Sequence, residues 1–141
     1  MGDRGNIQIT QTYQVADGSR QEATAFLYTH WGGSQVTTVL ASALKRGYDR
    51  TGDPEYLSRI IFQELIGDDH RNTGFGISLG AVGDNEWPIP HVWWKPFGAD
   101  PDRPGWPIPS RRLTVTYQDQ DYTADEFIDG FYEDPLVRGV A

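Results

Sequence analysis

The chain has 141 residues (15.9 kDa), 38% of them hydrophobic, and carries twelve Lys+Arg against twenty Asp+Glu for a formal charge of −8. That length fits one domain over 1–141 that buries a core without metal or disulfide, and the absence of cysteine excludes a disulfide scaffold, a Cys-ligated zinc or iron–sulfur site and a thiol nucleophile. The acidic balance excludes non-specific binding of duplex nucleic acid, and no apolar run approaches the ~20 residues of a membrane span.

The N-terminus has no signal-peptide core, and Asn6 stands where a myristoylation pattern wants Ser or Thr. The expected location is the cytoplasm. Residues 7–15 (IQITQTYQV) alternate apolar and polar, as in a half-buried strand. Asp17-Gly18 marks a turn, and residues 23–31 (ATAFLYTHW) return as an antiparallel partner. A turn centred near residue 18 makes paired positions sum to about 37. Residue 7 then faces about residue 30, and Arg4 lies beside Gly33.

Gly32-Gly33 breaks the strand and Ser34 is placed to cap a helix. Val36, Val39, Leu40, Ala43 and Leu44 recur at helical spacing, and Gly47 suits the end. A second helix opens on Asp53 as cap with Pro54 at its first position. Leu57, Ile60, Ile61, Phe62, Leu65 and Ile66 cover more than half its circumference, so it should be the most buried helix.

Residues 74–82 (GFGISLGAV) alternate again, with a bare glycine face that an indole is expected to cover. Residues 87–109 hold four of the five Trp and seven of the nine Pro, and repeat Trp-Pro-Ile-Pro at 87 and 106. Each copy leads toward a strand, His91–Trp94 or Leu113–Tyr117, while proline keeps the copies themselves at edges or in extended segments. Residues 96–105 read as a surface loop. Thr123-x-x-Glu126 is a capping box that opens a last helix with Phe127, Ile128 and Phe131 inward, and 135–141 is a tail. Seven carboxylates and no base fall between 119 and 134, so without that stretch the chain is nearly neutral. The expected architecture is α+β: a mainly antiparallel sheet, made of the N-terminal hairpin and about three later strands, packed by two central helices and a C-terminal helix. The other sheet face is expected to be partly open and lined by Gln, Thr and Tyr.

Several motifs have ordinary explanations. Gly76-Ile-Ser78-Leu-Gly80 matches a nucleophile-elbow pattern, but no helix can start after it. Asp68-Asp69-His70 and Asp84-Asn85-Glu86 read as polar loops rather than cation ligands. No residue set points to a metal, a cofactor or catalysis.

Two surfaces remain. Trp87, Trp93, Trp94 and Trp106 form a candidate partner-binding segment; adjacent Trp93 and Trp94 point to opposite faces, so at most one is in the core. Stacking of single-stranded bases on these rings is opposed by the net charge. The other candidate, a ligand site, is Asp3, Arg4 and Asn6 converging on His30, Trp31, Gly32, Gly33 and Ser34. Free amides at a helix start, an Arg and a His suit phosphate or carboxylate.

Met1-Gly-Asp-Arg-Gly-Asn6, Leu27-Tyr-Thr-His-Trp-Gly-Gly33, Tyr56–Phe62, Thr73-Gly-Phe-Gly-Ile-Ser78 and Asp84-Asn-Glu86 resemble a family of small uncharacterised proteins of bacteria, notably actinobacteria, and their phages. The resemblance covers about residues 1–86 and implies a shared fold and origin; it implies no reaction. Relatives continue past the Asp-Asn-Glu segment with a plain apolar strand, where this chain has its Trp-Pro-Ile-Pro section. The expected function is that of a non-catalytic phage or bacterial accessory protein, in host cytoplasm if phage-encoded. It would act on a protein partner through the Trp/Pro segment or the acidic C-terminal helix. The alternative is a small ligand-binding protein or enzyme with its anion pocket at the His-Trp-Gly-Gly-Ser loop. Exposed strand edges and Trp also invite self-association, so a homo-oligomer belongs among the expectations.

Overall fold

A computed structural model of the protein describes residues 2–68, 71, 73–94, 99–100, 103–107 and 113–134. Side chains at 14, 20, 99–100 and 103–107 lie outside that description, as does the tail at 135–141. The fold is α+β. Strands β1 (Gly5–Gln14), β2 (Arg20–Thr29), β3 (Phe75–Leu79), β4 (His91–Trp94), β7 (Leu113–Tyr117) and β8 (Gln120–Tyr122) form one sheet in the order β3-β2-β1-β4-β7-β8. All its neighbours are antiparallel except β1 and β4. Strands β5 (Ala99–Asp100) and β6 (Arg103–Pro107) pair separately. They fall where a surface loop was expected, and they include Trp106 at the start of the second Trp-Pro-Ile-Pro copy.

The hairpin forms as the alternation requires, but its register differs. Ile7 faces Leu27, and paired positions sum to 34 rather than about 37. The turn is responsible: the Asp17 carboxylate accepts from both the N–H (2.8 Å) and the hydroxyl (2.6 Å) of Ser19, and Gly18 takes φ 86°. This shifts the centre of the turn toward Asp17, a local side-chain effect that strand periodicity does not contain.

Helices α1 (Val36–Arg46), α2 (Pro54–Ile66) and α3 (Ala124–Phe131) pack on one sheet face, with α1 touching both others. The core joins Ile7, Leu27, Leu40, Leu44, Ile61 and Val92 with their neighbours. Helix α1, not α2, is the most buried, because it is central. Phe62 and Ile66 of α2 are only half-buried. Asp53 holds the N-cap position of α2 without a capping bond and instead accepts from Arg50 at 3.2 Å. At α1, a 3-10 turn over Gly33–Gln35 precedes the helix, and Ser34 is not its cap. The Thr123–Glu126 capping box on α3 is present in both directions.

Trp94 enters the core and its indole N–H donates to the Thr51 carbonyl at 2.7 Å, while Trp93 is half-buried on the opposite face. Among the described residues nothing covers the glycine face of β3: a Cβ built on Gly76 meets no described atom within 4 Å. Ser78 lies within that strand, and no helix follows it directly: the chain bends at Gly80 and continues without regular structure to β4.

Candidate functional site

The residues singled out near the N-terminus and the β2–α1 loop do come together. With Gly5 opposite Thr29, the register places Arg4 level with His30, and the chain then turns back so that Gly33 packs on Gly5. The Asp3 N–H donates to the His30 carbonyl, and the Gly33 N–H donates to the Asp3 carbonyl, both at 2.7 Å. A Cβ on Gly33 would lie 2.6 Å from the Arg4 carbonyl carbon. Glycine is required here by close approach of two backbones.

The helix start is filled by the protein's own anion. The Asp3 carboxylate accepts from the Ser34 N–H (3.1 Å), the Ser34 hydroxyl (2.6 Å) and the Trp87 indole N–H (2.5 Å). These bonds, led by the Ser34 hydroxyl, hold its carboxyl below the usual range. An external phosphate would have to displace this carboxylate.

Arg4 turns the other way. Its Nε donates to Glu86 Oε1 at 2.7 Å, and its Nη1 lies 3.5 Å from Asp84. The backbones of Arg4 and Glu86 add a bond of 2.9 Å. The pair lowers the Glu86 carboxyl and raises the Arg4 guanidinium, as ion pairing requires. Asn6 is 1% exposed and donates to the Asp84 carbonyl (2.8 Å) and to Asn85 Oδ1 (3.1 Å). The segment 84–87 was read as a polar loop and a Trp surface. It is instead the third wall of the site, a strap that carries the chain from edge strand β3 past the ends of β2 and β1 to β4. Its complementarity is visible as types: Asp3, Arg4 and Asn6 against Asp84, Asn85, Glu86 and Trp87.

A shallow cavity of about 410 Å³ lies between Gly2, Arg4, His30 and Glu86. The His30 ring is set by the Tyr28 hydroxyl at its Nδ1 (2.7 Å) and meets the Trp31 ring edge-on at 4.4 Å between centroids. Burial raises the Tyr28 phenol. Trp31 is 59% exposed and Trp87 43%. Of the other partner candidates, Trp94 is in the core, Trp93 is half-buried, and the side chain of Trp106 lies outside the described residues.

A second polar cluster, unforeseen from the sequence, lines the open sheet face. Thr24 and Thr10 hydroxyls bond at 2.9 Å, and Thr10 meets His91 Nε2 at 2.8 Å. Beside them the Trp93 indole donates to the Thr116 hydroxyl (2.9 Å), which donates to Asp121 (2.6 Å). The register makes this cluster possible, because it sets Gln8 opposite His91 across the parallel β1–β4 pair. Burial lowers the His91 imidazole, although the Glu22 charge opposes the shift.

The pH dependence of stability follows. The unfolded chain binds the His91 proton first, so this contribution is complete above about pH 6.5 and is lost as pH falls toward the folded-state value. The depressed Asp3 and Glu86 carboxyls act lower, below about pH 4.5, where their contributions disappear as pH falls through their folded values. Urea midpoints measured against pH should therefore fall in two stages. His91→Gln should remove the upper stage; superimposable profiles between about pH 7 and 5 would assign that stage elsewhere.

No helix among the described residues is long and apolar enough to cross a membrane. No family model matches the chain, and neither a curated protein nor a solved structure matches it.

Proposed function

We propose that the protein is a non-catalytic accessory protein of phage or bacterial origin that holds a protein partner on the aromatic rim formed by the β2–α1 loop and the 84–87 strap. The observation that carries this reading is the exposure of two indoles, Trp31 and Trp87, on a rigid frame. Trp87 is tied to Asp3, and Trp31 stands against the His30 ring. Fixed aromatic side chains lose little entropy on contact, and Trp dominates binding hot spots. The phage or bacterial setting rests on the family resemblance. The charge of −8 favours a partner of opposite sign and speeds its encounter.

The frame also argues against an anion pocket here, since Asp3 fills the amides and Glu86 with Asp84 neutralises Arg4. Host lysate passed over the immobilised chain should yield a partner that Trp31→Ala with Trp87→Ala releases. Loss of two hot-spot rings predicts a fall in affinity of roughly 30-fold or more. A partner held equally by that double variant, with the fold intact by circular dichroism, would refute this assignment.

A further inference from the structure

The two edges of the sheet are unlike. Strand β8 spans three residues, carries Asp121 and leaves a turn in which Gln118 and Asp119 have φ of 49° and 65°. Short length, acidic charge and a sharp turn are common protections of an edge. Strand β3 has none of these: its sequence Phe-Gly-Ile-Ser-Leu contains no charge and no proline.

Hydrogen bonding shows which groups β3 leaves over. His30 N–H donates to the Gly74 carbonyl and Gly80 N–H donates to the Thr24 carbonyl, so the even-numbered residues of the strand bond to β2. Phe75, Ile77 and Leu79 turn their N–H and C=O groups outward. Among the described residues no strand pairs with that side. The side chains of the same three residues lie on the helix face, where Ile77 is 53% and Leu79 82% exposed. Beside them an apolar groove of about 520 Å³ runs between the sheet and α2, walled by Leu27, Phe62, Ile77 and Leu79.

The pattern of β3 is symmetric about Ile77. Antiparallel pairing with a second copy of the same strand sets Ile77 against Ile77, Phe75 against Leu79 and Gly76 against Ser78. Apolar side chains then meet on the helix face and small ones on the other. The outward groups of 75, 77 and 79 form about six backbone bonds. A heterologous strand would gain the backbone bonds without this matching of faces. We infer that β3 is a self-association edge: two copies join about a two-fold axis at Ile77 into one continuous sheet, and the apolar groove of each is narrowed by the other's Leu79. This is an isologous contact, which closes at two subunits and does not propagate. A five-residue ladder is at the small end of stable interfaces, below about 1,200 Å² in total, so the dimer is concentration-dependent.

Sedimentation of the full chain from about 1 to 500 µM should show a mass rising from 15.9 kDa toward twice that value. Leu79→Lys and Ile77→Pro should each weaken association at least about tenfold. The Pro variant removes an outward N–H and spares every bond to β2, so its thermal midpoint reports that the fold is kept. Trp31→Ala should dimerise as wild type does, which separates this edge from the partner rim. Because the chain has no cysteine, Ile77→Cys provides a single thiol at the axis. It should cross-link under mild oxidation far faster than Glu55→Cys on the exposed side of α2. A monomer at every concentration overturns the inference. So does a dimer undiminished in folded Leu79→Lys and Ile77→Pro, or equal cross-linking at both thiols.

Discussion

Gly33→Ala should destabilise the protein by about 3 kcal/mol, seen as a fall of roughly 10 °C in the thermal midpoint. The added methyl would stand 2.6 Å from the Arg4 carbonyl carbon, 2.7 Å from the Gly5 nitrogen and 2.8 Å from the Arg4 carbonyl oxygen. All three are main-chain atoms, so no rotamer change relieves the clash. The loop must lift away from β1, and the bond from Gly33 to the Asp3 carbonyl goes with it. Ser34 then leaves the Asp3 carboxylate, and the Trp87 side of the strap loses its fixed acceptor. Gly76→Ala is the control, because its methyl meets nothing within 4 Å. It should change stability by no more than about 0.5 kcal/mol. Equal falls in the two variants would show that loss of glycine, not the crossing of two backbones, sets the effect.

Phe127→Ala should cost about 3–5 kcal/mol. The ring is 0% exposed, stacks on Phe131 at 4.4 Å and meets Tyr122 edge-on at 5.6 Å. Helix α3 has eight residues, too few to be stable alone despite its capping box. It stays because this ring anchors it against α1 and β7, while Lys45 of α1 lies 4.1 Å from the ring centroid of Tyr132 just beyond the helix end. Urea unfolding checks the magnitude, and Phe127→Leu should recover more than half of it. A cost under about 1 kcal/mol would mean that α3 is a detachable acidic flap.

Local chemistry was legible in the residues; position within layers was not. Alternation in 7–15 marks the first strand of the hairpin, but 23–31 carries apolar residues on both faces, Ala25 and Leu27 on one and Phe26 and Tyr28 on the other, so its pattern does not oppose an odd register shift that turns the strand over. Asp17 decides it through bonds to Ser19. The wide apolar arc of α2 suggested the deepest helix, but an arc does not say how many neighbours a helix has. α1 is flanked on both sides, and part of the arc of α2 lines an open groove. The glycines of β3 implied an indole cover, and no described residue supplies one. The convergence of Asp3, Arg4 and Asn6 on the 30–34 loop was foreseen through a wrong register, and it holds because the turn after β2 restores the approach to Gly33. The strap at 84–87 escaped because its contacts with Asp3, Arg4 and Asn6 join segments about eighty positions apart, a separation no local pattern encodes.

That separation has a consequence for synthesis on the ribosome. The hairpin and α1 are complete once residue 46 has emerged, and their contacts are local. Segment 84–87 and strand β4 emerge some forty residues later, which at about 5–20 residues per second is roughly 2–8 seconds. Through that interval the growing chain shows β1 without its parallel neighbour and Arg4 without Glu86. Those seconds are when a nascent chain of this fold is most open to chaperones, and slow codons between 47 and 83 would lengthen them.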